Sequence, residues 1–222
     1  MEEFQNIPVR EKAYIYLRNA IVKGTMQPGQ RIVEDVLVAQ FSVSRTPLRE
    51  AIHKLEQDGL LVRAEGRGLM VSRMSEKEIT ELYEVREYLE ALATKRATEN
   101  LTDERKETLI KLKQQLINLY NKGEGFQLSD LFREHHKFII TCSEHSVCME
   151  FLDKMNTKIA RYAHVSFSTE ERQEQAFSEH VKIMELMLAG EAEQAEAAMR
   201  MHIANSLCSF KENFNKETLE YN

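Results

Sequence analysis

Two sets of side chains in this sequence have the types and spacing to do chemistry. Arg45, Thr46, Arg49 and His53 lie close together, and a guanidinium fork binds a guanine edge bidentately or clamps a phosphate. Arg67 stands between Gly66 and Gly68, so a tight turn would carry it at its tip. The second set is imidazoles. Six of seven histidines (His135, His136, His145, His164, His180, His202) fall after residue 74, although that part is net acidic. Several imidazoles meeting in one cavity hold divalent transition metals. Three with an open position would also suit a catalytic metal. However, no HExxH motif supplies a general base, and no glycine-rich nucleotide loop occurs. Cys142 and His145 lack a third group to orient them, so they are not expected to form a catalytic dyad.

Backbone punctuation shows which elements must position these groups. All three prolines (Pro8, Pro28, Pro47) and five of eight glycines precede residue 75. Proline breaks helices and glycine weakens them, so the long remainder can be helical throughout, with the boundary at Val71–Ser75. Residues 1–74 read as helix, helix, turn, helix, hairpin. Ala13, Leu17, Ala20 and Ile21 recur at helical spacing up to Gly24. Pro28-Gly29 suits a type II turn, and a second helix spans about 33–41. After a break at Ser42-Val43, a third helix runs from Ser44–Thr46 to Asp58, with Gly59 as its left-handed cap. Leu61–Arg63 and Leu69–Val71 flank a glycine-bearing hairpin. Residues 75–222 read as six helices near 75–100, 102–122, 126–142, 146–167, 170–189 and 191–213, with a frayed tail after Asn213.

Charge and cysteines exclude several function classes. The net charge is −6; residues 1–74 carry eleven basic against nine acidic side chains, and residues 75–222 nineteen against twenty-seven. A surplus of two cannot bind nucleic acid as a bulk polycation. Acids in Met1–Lys12 oppose a signal peptide, and no run of about 18 apolar residues offers a membrane span. Cys142, Cys148 and Cys208 are an odd set without CxxC, fitting reduced thiols and a cytoplasmic location.

A helix, a short turn and a second helix place the second helix where it can enter a major groove. At about 100° per residue, Leu48, Ala51, Ile52 and Leu55 share a packing face, and Arg45, Thr46, Arg49 and His53 take the adjacent flank. By geometry alone these arginines suit a solvated helix surface equally well.

Ile21 to Glu34, then Phe41-Ser-Val-Ser-Arg-Thr-Pro-Leu-Arg-Glu-Ala-Ile52, then Leu55 to Leu61 and Gly66-Arg-Gly68 resemble the winged-helix domain of GntR-family bacterial transcription regulators. The resemblance implies DNA contacts by Ser44, Arg45, Thr46, Arg49, Arg67 and Gly68. Some relatives carry a further DNA-contacting arginine early in the second helix; here Glu34-Asp35 stand there. Downstream, Glu84-Val-Arg-Glu-Tyr-Leu-Glu-Ala-Leu-Ala93 resembles the FCD effector domain of the FadR subfamily, in its smaller VanR-like form. That implies a cavity for a small organic acid, often bound through a divalent metal (zinc, nickel or manganese) held by an aspartate and three histidines. His136, His180 and His202 match the three histidines. The acid is expected one turn before His136, where this chain has Phe132; Asp130 and Glu134 point elsewhere, and His135 is expected at the surface. Arg86 matches a family arginine aimed into the cavity, and an ion pair with Glu90 at i+4 explains it equally well.

The expected protein is mainly α-helical. Residues 1–74 form a winged helix-turn-helix and residues 75–222 an all-helical effector-binding and dimerisation domain. It would bind a pseudo-palindromic double-stranded operator as a homodimer, most often as a repressor in this family. Two other readings stay open: a constitutive DNA-binding dimer with no ligand response, and a metal-dependent enzyme tethered to a winged helix.

Overall fold

Glycine or proline stands at several of the breaks in the chain, among them Gly24, Pro28-Gly29, Gly59, Gly123 and Gly190. The computed structural model describes residues 7–22, 24–41, 43–123, 125–162 and 169–220; Lys23, Ser42, His164 and the helix end expected at 167 lie outside these. The first elements are α1 (Val9–Val22), α2 (Glu34–Phe41), α3 (Arg45–Gln57), β1 (Leu61–Ala64) and β2 (Gly68–Val71). Six helices follow: α4 (Glu76–Glu99), α5 (Asp103–Asn121), α6 (Gly125–Cys142), α7 (Ser146–Ile159), α8 (Glu170–Ala189) and α9 (Ala192–Glu220). Two compact units result, dividing after Ser75, with residues 156–161 grouped in the first. The fold is a winged helix-turn-helix and a mostly helical second unit.

In the first unit, Leu48, Ala51, Ile52 and Leu55 form the buried stripe of α3. They join Leu17 and Ile21 of α1, Leu37 of α2, and Leu61, Leu69 and Val71 of the wing in one apolar core. Each such leucine or isoleucine contributes roughly 1.5–3 kcal/mol on burial. The turn before α2 closes as Gln30 N–H donates to Gln27 O at 3.0 Å. Its Gly29 sits at φ +84, as the third position of a type II turn requires. α3 ends in a Schellman pattern: Gly59 N–H donates to Glu56 O and Leu60 N–H to Leu55 O. β1 and β2 pair antiparallel with Leu61 opposite Val71 and Ala64 opposite Gly68. This register sends Leu61, Leu69 and Val71 inward together.

In the second unit, α4 and α9 run antiparallel along each other. Lys95 meets Glu193 at 3.1 Å, Arg200 meets Glu87 at 2.9 Å, and Tyr83 stacks on Phe210 at 6.3 Å. α8 turns into α9 at Gly190, whose φ of +79 closes the helix. Two helix ends differ from expectation. α7 stops at Ile159 and a 3-10 turn spans Ala160–Tyr162. The sequence carries no breaker there, but three residues per turn aligns the buried Ile159 and Tyr162. α9 continues to Glu220 instead of fraying after Asn213. Asn213 Nδ2 donates to Ser209 O, the Phe214 ring lies 4.9 Å from that of Phe210, and most later residue types favour helix.

Candidate functional site

The α3 flank is built by packing on its opposite side. With its apolar stripe buried, Arg45 and Arg49 are left about two-thirds exposed at the first two turns. Thr46 and His53 are exposed beside them. Ser44 is the extended N-cap, and its side chain makes no capping bond. Its hydroxyl and the first amides of α3 therefore remain available to a phosphate. Arg67 and Gly68 are exposed at the wing. Gly68 has φ +77, and a Cβ there would stand 3.9 Å from the Arg31 guanidinium. Both arginines have acidic neighbours. Arg45 Nη2 donates to Asp35 Oδ1 at 3.0 Å, and Arg49 Nε to Glu34 Oε2 at 3.2 Å. Arg63 Nη2 also reaches Glu34, at 3.2 Å. Partial burial raises the Glu34 carboxyl, but its bonds to Arg63 and Arg49 outweigh that and leave it below the usual range.

In the helical unit, His136 (α6), His180 (α8) and His202 (α9) are buried, and one ring nitrogen from each lies within 4.8 Å of the other two. The structure thus brings together all three histidines implied by the resemblance. The rest of the constellation was missed. His136 Nδ1 meets Glu90 Oε2 at 3.1 Å, and His202 Nδ1 meets Glu179 Oε2 at 2.7 Å. His180 Nδ1 meets His135 Nδ1 at 2.8 Å. A carboxylate accepts only, so His136 and His202 donate through Nδ1 and turn Nε2 inward. Those two Nε2 atoms are 3.3 Å apart. His180 Nε2 is buried without a hydrogen-bond partner among the described residues.

The carboxylates are themselves held. Arg86 donates through Nε and Nη2 to Glu90 Oε1 at 3.1 Å, so the i+4 ion pair is what forms. Arg172 Nη1 donates to Glu179 Oε2 at 3.0 Å, Asn205 Nδ2 to Glu179 Oε1 at 2.6 Å, and Arg172 Nη2 to Ser206 Oγ at 2.9 Å. Burial raises Glu90, yet His136 and then Arg86 pull it down to about 2. Burial drives His135 and His180 far below their ordinary range, with neighbouring imidazoles reinforcing it. It takes His202 to about 4 despite Glu179. Neutral imidazole is the form that binds metal.

One sequence expectation is corrected here: His135 is not at the surface but fully buried. Positions 135 and 136 are about 100° apart, and the buried face of α6 is wide enough to take both. Phe132 is also buried, its ring stacked 4.2 Å from that of His180. Asp130 and Glu134 are exposed, as expected. Glu179 had a faint signal beside His180, and Arg172 lies seven residues earlier on the same helix face.

A family model described as "FCD domain" matches residues 81–205, and one described as "Bacterial regulatory proteins, gntR family" matches residues 9–71. The chain is 29% identical over 190 residues to an uncharacterized HTH-type transcriptional regulator, YdhC, of Bacillus subtilis, covering 85% of each. It is 26% identical over 199 residues to the HTH-type transcriptional repressor RspR of Escherichia coli, covering 88% of this chain and 86% of the repressor. Among solved structures, E. coli McbR/YncC shares the fold with a TM-score of 0.74 at 21% identity, covering 97% of this chain and 100% of that one.

The buried network makes a stability prediction. Glu90→Gln leaves the Arg86 guanidinium without its carboxylate, and breaking such a pair costs about 3 kcal/mol or more. Urea unfolding should show that loss, whereas Glu81→Gln on the exposed side of α4 should stay within about 0.5 kcal/mol. Equal effects from the two variants would mean the network does not hold the helices.

Proposed function

Because the chain belongs to the GntR family of bacterial regulatory proteins and carries an FCD domain, it is a transcription regulator that binds DNA, and we propose how it does so. Arg45 and Arg49 read base edges in a major groove, Ser44 and Thr46 meet phosphates, and Arg67 with Gly68 follows the flanking groove or backbone. The exposure of both arginines at the start of α3 carries this reading. The repressor direction follows the RspR relative. We read the chain as a homodimer whose two α3 helices occupy half-sites of a pseudo-palindrome about one turn apart. Val85 and Tyr88 of α4 and Met201 of α9 are exposed apolar side chains suited to meeting a second copy. No helix among the described residues is long and apolar enough to cross a membrane; a regulator of DNA works in the cytoplasm.

The helical unit is proposed to sense a small organic acid, with a divalent ion on the Nε2 atoms of His136, His180 and His202. The residues fit such an ion. Every Nδ1 is occupied, the Nε2 atoms of His136 and His202 face each other, and the buried His180 Nε2 has no hydrogen-bond partner among the described residues. One nitrogen from each ring lies within 4.8 Å of the others, so the three imidazoles would hold such an ion and leave a position open to an anion. With Phe132 in place of the acid, an all-imidazole set favours zinc or nickel over manganese. A bound ion would supply the positive charge that draws a carboxylate, with Arg86 nearby. In a second reading, favoured by the 3.3 Å Nε2 contact of His136 and His202, a shared proton bridges the imidazoles instead. Effector binding can shift operator affinity only by its differential affinity for two states, about 1–3 kcal/mol.

Arg49→Ala is expected to abolish retardation of a duplex enriched by the wild-type protein from a random library, with an unchanged melting temperature. Retained binding would count against the DNA-reading face. Light scattering should give about twice the 25.9 kDa chain mass, and a monomer at micromolar concentration would refute the dimer. Zinc or nickel at 100 times its Kd should stabilise the wild-type protein by about 2.7 kcal/mol. His202→Ala should lose that gain. No bound metal on elemental analysis and no melting shift would end the metal reading in favour of the proton.

A further inference from the structure

The first turn of α2 carries two acids, and each is tied to one recognition arginine. Asp35 holds Arg45 at 3.0 Å through a pair about two-thirds exposed at both ends. Surface pairs of that kind contribute little to folding. Glu34 is less exposed and sits between Arg49 and Arg63, each at 3.2 Å, while Arg63 Nε also forms an ion pair with Glu56 at 3.1 Å. Acids suit a helix N-terminus, which accounts for their place on α2 but not for pairs that reach across to α3 and β1.

We propose that Glu34 and Asp35 are specificity determinants of DNA reading, holding Arg49 and Arg45 so that they yield to a guanine edge more readily than to a phosphate. The inference rests on the DNA-binding reading above. A guanidinium has five N–H donors. Arg49 spends Nε on Glu34, leaving its terminal Nη1/Nη2 fork for the O6 and N7 of guanine. Arg45 gives one Nη2 donor to Asp35 and keeps the rest. Guanine's acceptors are uncharged, so the acid can stay in place. A phosphate brings its own negative charge against the same carboxylate and must displace it or be repelled. The acids therefore subtract more from sequence-independent binding, which is almost wholly phosphate contact, than from specific binding.

The test is fluorescence anisotropy on the full chain carrying Asp35→Asn, Glu34→Gln or both. One duplex has random sequence; the other is enriched from a random library by the wild-type protein. Asp35→Asn should tighten binding to the random duplex about 3–10-fold near 0.1 M salt and steepen log K against log salt by about one per acid removed. The ratio of enriched to random affinity should fall. Asp35 is exposed, so that variant keeps its melting temperature and reads binding alone. An unchanged random-duplex affinity and salt slope, or equal tightening on both duplexes, would overturn the inference while leaving the DNA-binding reading intact. A wild-type protein that binds neither duplex, or an Arg45→Ala/Arg49→Ala double variant that binds as wild type does, would remove both.

Discussion

A nitrogen donor can act outward only if something fixes where its protons go. In this molecule carboxylates do that fixing. An imidazole offers a metal or a proton one lone pair, and which nitrogen carries it depends on what the other nitrogen touches. Glu90 and Glu179 decide this for His136 and His202 by accepting at Nδ1. Without them, three buried rings would have no common inward face.

The acids have to be stabilised in turn, because a lone carboxylate in an apolar interior would take up a proton instead of staying charged. Arg86 and Arg172 supply the counter-charge. The result is two chains of contact, arginine to carboxylate to imidazole, drawn from α4, α6, α8 and α9. Each helix contributes at least one member, so the network fixes how the helices meet as well as the rings. His180 is handled differently: His135 takes its Nδ1 and Phe132 covers its ring. An aromatic ring there adds stacking and excludes water where an acid would have added a negative charge. A cation in the cluster would therefore keep more of its own charge for an incoming anion.

The exposed flank of α3 uses similar pairs under opposite conditions. Arg45, Arg49 and Arg63 lie at the surface, where water and salt weaken each pair. What burial makes permanent in the helical unit is exchangeable here, as the proposed reading of DNA would require. The amides at the start of α3 add a fixed field that no side chain has to supply.

The sequence by itself determined the elements and the faces of α3. Pro28-Gly29, Gly59 and Gly190 stop or turn the chain because positive φ or a missing amide proton is a local property. Leu48, Ala51, Ile52 and Leu55 set the buried face of α3 because helical period is local too. The resemblance is legible for the same reason, since Ser44, Arg45, Thr46 and Arg49 form one short run and Arg67-Gly68 another. Tertiary structure alone decided that His135 turns inward to His180, that Glu90 reaches His136, that Glu179 reaches His202, and that Asp35 and Glu34 meet Arg45 and Arg49. Those pairings join residues from different helices, and no spacing along the chain encodes which side chain will face another once the helices pack.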